Sequence, residues 1–86
     1  MAELNLRREI KLALRDVWPV FWSKHPAIAP LFDRALVLDA VVDRFRDDPE
    51  YLHVMADAMA ARVPYQQLMI LIRRLTTNSL ELAVRA

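Results

Sequence analysis

The chain has 86 residues, with twelve basic and eleven acidic side chains and a net charge of +1. That is enough for one small domain, and too small a charge excess to draw nucleic acid or a membrane surface by bulk electrostatics. It contains no glycine and no cysteine. The first absence excludes glycine-rich phosphate loops and deprives β-hairpins of the residue their tight turns use, so an all-α fold follows; the second excludes disulfides and thiolate metal sites.

Apolar residues make up 56% of the chain, and 12 of them are alanine. A domain this small has too much surface to hide them all, so some apolar face should stay exposed or be covered by a partner. No apolar run approaches the ~18 residues of a membrane span, and charge begins at Glu3 with no apolar signal segment behind it. The expectation is a cytoplasmic protein without a membrane role. Without glycine, helices are expected to end on asparagine, proline or a bound partner.

The spacing predicts a first helix near residues 4–17, with Asn5 as candidate N-cap and Leu6, Ile10, Ala13, Leu14 and Val17 as its apolar stripe. Arg7, Arg8, Lys11 and Arg15 form a basic face beside it, read as solvated. Pro19 should kink or restart the helix, since proline removes a backbone donor and disfavours helical geometry at Trp18; an extra turn near 19–24 would follow. Trp18, Phe21 and Trp22 are a large aromatic payload within five residues, and an exposed indole there would suit a docking partner.

A second helix is expected at 31–46, on the stripe Leu31, Ala35, Leu38, Val42 and Phe45. Leu36, Val37, Ala40 and Val41 are also apolar and point elsewhere, which makes this helix either central or covered by another chain. Asp48-Pro49-Glu50 is a strong helix start, giving 49–62 with Leu52, Met55, Ala56, Met59 and Val63 inside. Pro64 opens 64–76, with Tyr65, Leu68, Met69, Ile72 and Leu75 inside. Thr76-Thr77-Asn78-Ser79 is expected to break that helix, and Asn78 with Glu81 fits a capping box for a short last helix at 79–85.

Catalytic and metal constellations are not apparent. Glu50, His53 and Asp57 share a helix face, but the Glu-x-x-His pair lacks a second copy and partner carboxylates. Ser23 with His25 is no recognisable nucleophile–base arrangement. No enzyme activity, cofactor or metal is expected.

The stretch from Ala58 to Leu71 resembles a helix-turn-helix: Ala58, Ala61, Val63, Leu68 and Leu71 stand where that motif keeps packed residues, and Arg62 stands at the turn. The resemblance covers about twenty residues. It implies that Tyr65, Gln66, Met69, Ile70 and Arg73 face the major groove, with Gln66 reading adenine and Arg73 or Arg74 on phosphate. In build alone, several short helices in so short a chain also resemble death-fold-like adaptor domains, without a shared residue motif.

The reading that accounts for most of the chain is a single helical domain, residues 1–86, built as a compact bundle of four to five short antiparallel helices, or six with the turn near 19–24. Its function is non-enzymatic protein–protein interaction, with homo-oligomer formation as the specific expectation. The surfaces named for it are Trp18, Phe21 and Trp22, then Met69, Ile70 and Arg73. DNA binding through Tyr65, Gln66, Arg73 and Arg74 is the alternative.

Overall fold

The computed structural model describes residues 5–85, so Leu4 of the expected first helix lies outside them. Four α-helices follow one another: α1 (Leu6–Lys24), α2 (Arg34–Asp47), α3 (Pro49–Ala60) and α4 (Tyr65–Arg85), with a 3-10 turn at Ala29–Leu31 between the first two. No strand occurs among the described residues.

The helix starts obey the expected chemistry. The Asn5 side chain accepts from the Arg8 amide at 3.1 Å, and Asp48 accepts from the Glu50 amide at 3.0 Å with Pro49 at the first position. Asp33 caps α2 through one carboxylate oxygen, Oδ1, which accepts from Ala35 and Leu36. That cap moves the start of α2 past position 31. Leu31 instead sits in the 3-10 turn, 81% exposed, and Ala35 is also outside the core.

α3 ends without glycine by an unexpected route. Arg62 takes the left-handed conformation (φ 53°), its amide donates to Met59, and the Val63 amide donates to Ala58 at 3.3 Å. This is the Schellman arrangement, with arginine in the place that glycine fills at lower steric cost. Val63 and Ala58 both pack on the core edge, the apolar contact that accompanies the motif.

Two expected interruptions are absent. α1 runs through Pro19 to Lys24, so the turn near 19–24 is its last part. Trp18 and Phe21 flank the proline and pack 5.5 Å apart, with Phe21 buried, and this apolar anchoring offsets the missing backbone bond. α4 likewise continues through residues 76–79, and no separate helix begins there. Thr76 and Ser79 belong to the buried face, between Leu75 and Leu80, while Asn78 is exposed. Small polar side chains at core positions imitate a loop in the sequence.

α1 and α4 form the main pair. Glu9 meets Tyr65, Asp16 meets Arg73, and His25 meets Glu81. The numbers rise together along both helices, so the pair runs parallel, against the expected antiparallel build. α2 supplies the return leg: Arg7 reaches Asp39 while Phe21 stacks on Phe32, which makes α1 and α2 antiparallel. Ile10, Leu14, Val42, Phe45, Ile72 and Leu80 form the dry centre. α3 packs chiefly on α2 and buries Tyr51 and Met55, not the expected Leu52, Ala56 and Met59, which face outward.

Candidate functional site: an apolar groove between α2 and α4

The expected docking residues divide by burial. Phe21 and Met69 are core side chains, Trp18 is half-buried, and only Trp22, Ile70 and Arg73 are exposed. Phe21 is held on three sides, by Trp18, His25 and Phe32 at centroid distances of 5.5, 5.3 and 5.7 Å. Neither residue is presented to a partner. The stripe logic that placed Met69 inside the helix holds, and its assignment to a contact surface does not.

The DNA-facing set is also partly engaged. Tyr65, expected inside, has an exposed ring whose hydroxyl donates to the buried Glu9 carboxylate at 2.5 Å. Arg73 donates to Asp16 at 2.9 Å. Gln66 and Arg74 are exposed on α4, and Arg62 at the turn has φ 53°. His53 and Asp57 lie 3.4 Å apart with both side chains exposed, a solvated i,i+4 pair.

The Glu9 bond raises the Tyr65 pKa above its ordinary 10.0; burial and the negative charge of Glu9 act the same way, and Arg8 and Arg73 oppose them. Because the folded value is raised, the bond's contribution is fully present below pH 10 and lost as pH rises through that raised value. Tyr65→Phe is therefore expected to lower the urea midpoint at pH 7, with the gap to wild type closing above the tyrosine titration. A gap of constant size across that range would show that ionisation of Tyr65 is not linked to folding.

The surface feature that the fold creates is a groove of about 530 Å³ between α2 and the C-terminal half of α4. Val37 and Val41 form its floor on α2 and Leu80 on α4, while Leu36, Ala40, Leu82 and Ala83 rise along its edges. Leu36 is 67% exposed, and with Leu31 and Leu82 it gives the groove lining three large exposed apolar side chains. Asp33 and Arg44 stand at opposite ends of the α2 wall and are the charged residues among the described lining.

The α2 half of this site is the second apolar face of the expected 31–46 helix. Leu36, Val37, Ala40 and Val41 all line it. The α4 half had no sequence signal as a site, because Leu80, Leu82 and Ala83 were assigned to a short separate helix. A second, polar depression lies beside it, lined by Arg44, Asp48, Glu50, Tyr51, Asn78, Glu81, Leu82 and Arg85. Tyr51 there donates to the Leu75 carbonyl at 3.4 Å and accepts from Ser79 at 3.3 Å, so its hydroxyl is taken up by the fold.

No protein-family model, curated protein or solved structure matches the chain.

Proposed function

We propose that this chain is a non-enzymatic helical interaction module, and that the α2–α4 groove is where a helix of a protein partner docks. The observation that carries the reading is the concentration of exposed leucines at that groove while the same small domain keeps a closed core of its own. Burying an exposed leucine is worth about 1.5–3 kcal/mol, so Leu31, Leu36 and Leu82 together form a strong driving force for association. The walls are helices, and the i, i+4 ridge of Leu36 and Ala40 is what an amphipathic helix packs into.

A test uses an apolar dye, anilinonaphthalene sulfonate, at a dilution where light scattering reports single chains. Wild type is expected to enhance the dye's fluorescence, and Leu36→Asp and Leu82→Asp to lose most of the enhancement with unchanged helical circular dichroism. Both residues are solvent-facing, so neither change empties the core. Undiminished enhancement in both variants would place the accessible apolar surface elsewhere and overturn the reading.

A further inference from the structure

We infer that the occupant of the groove is the α2 helix of a second copy of this chain, laid antiparallel across the first. The inference rests on the groove as docking site and goes beyond it by specifying partner, direction and register.

The argument lies in the order of residues along α2. Asp33, Val37, Ala40 and Arg44 follow one another at steps of four, three and four, the spacing of a coiled-coil seam. By the helical period Val37, Ala40 and Arg44 fall within about 60° of one another; Asp33 is the extended N-cap just before them, and all four line the groove. A two-fold axis crossing α2 between positions 38 and 39 sets Asp33 opposite Arg44 of the second copy. It also sets Val37 opposite Ala40 and Leu36 opposite Val41, each pairing occurring twice. An isologous contact has to be self-complementary in this way. An acid at one end, a base at the other and apolar layers between them fit an antiparallel copy; a parallel copy would set Asp33 on Asp33 and Arg44 on Arg44.

The centre of the seam is small enough for close approach, because Ala40 carries a single methyl group. The charged ends are also able to change partners. Asp33 caps its own helix with Oδ1 alone, leaving Oδ2 for a second-copy guanidinium. Arg44 lies 3.6 Å from Asp48 and over the Tyr51 ring at 5.6 Å, with its side chain 40% exposed. A guanidinium has five donors, so it reaches a new carboxylate without leaving the old one unsatisfied. In the pair, Leu36 and Ala40 of each copy enter the other's groove beside Leu82 and Ala83.

The experiment is sedimentation equilibrium over a concentration series on wild type, Asp33→Arg, Arg44→Glu, and an equimolar mixture of the two variants. Wild type is expected to approach twice its 10.0 kDa mass. Each variant alone sets like charges opposite each other twice and should weaken association about tenfold or more. The mixture sets opposite charges in both places and should recover most of the wild-type constant.

Circular dichroism checks each fold, because Asp33→Arg removes a helix cap. If that variant does not fold, Asp33→Asn keeps a capping oxygen, and its mixture with Arg44→Glu should still associate more tightly than Arg44→Glu alone. A wild type that stays at 10.0 kDa throughout overturns the second-copy assignment, and the dye result then decides separately whether the groove reading survives. A wild-type dimer whose variants fail to complement one another overturns the register.

Discussion

Phe45→Ala is expected to remove about 3–5 kcal/mol of stability. Phe45 is 1% exposed at the last turn of α2 and meets the edge of Tyr51 at 5.1 Å. It is where α3 is fastened to the bundle, since Tyr51 and Met55 are the buried side chains that α3 contributes. Truncation would open a cavity on one side of Tyr51 and loosen the ring that bridges to Leu75 and Ser79 of α4. A domain of this length has a total stability of roughly 4–13 kcal/mol, so the loss is a large fraction of the whole. Urea unfolding followed by circular dichroism measures it. A loss below about 1 kcal/mol would mean that neighbouring side chains collapse into the space, and that α3 is held by something other than this ring pair.

The same bridge shows what the sequence reveals and what it conceals. Residues whose role is decided by their immediate neighbours along the chain are legible: Asn5, Asp48 and Pro49 cap and start helices as read, and the first helix buries Ile10, Ala13 and Leu14 as its period requires. Residues whose role depends on another element are not. In α3 the stripe expected through Leu52, Met55, Ala56 and Met59 keeps only Met55 and is replaced by one through Tyr51 and Met55, about 70° away on the wheel. Only the position of α2 selects the second. Thr76 and Ser79 look like loop residues until α1 and Tyr51 are placed against them. Arg62 in the left-handed region could not be anticipated from its type, because the six-residue closure from Val63 to Ala58 imposes it.

The groove falls between these cases. A second apolar face on residues 36–41 was visible as a surplus that the helix itself had no use for. Its continuation onto α4 was hidden by the expected break at 76–79. The aromatic cluster drew the docking assignment instead, and most of it went inward: Phe21 is buried and Trp18 half-buried. In so small a domain large aromatics are needed for the core, and the surface for association is left to leucine and alanine on helix faces that the core does not require.

Pro19→Ala is expected to raise stability, by up to about 3 kcal/mol, and by at least the ~1 kcal/mol of one recovered backbone hydrogen bond. Pro19 lies in the interior of α1, four residues after Arg15, whose carbonyl would receive an amide from any other residue there. Its ring is exposed, so replacing it removes no buried contact. The gain should appear as a rise in Tm of about 4–8 °C per kcal/mol for a domain of this size, measured by calorimetry with the helical signal unchanged. The opposite sign would be equally informative. A fall in Tm would mean that the proline ring helps hold Trp18 and Phe21 in place against Phe32, and that α1 without it loses more in that aromatic contact than it gains along its backbone. The expected sign is a rise, because Phe21 is already fixed from the far side by the bond its own carbonyl accepts from the His25 amide at 2.9 Å, and His25 in turn is anchored to Glu81 at 3.0 Å.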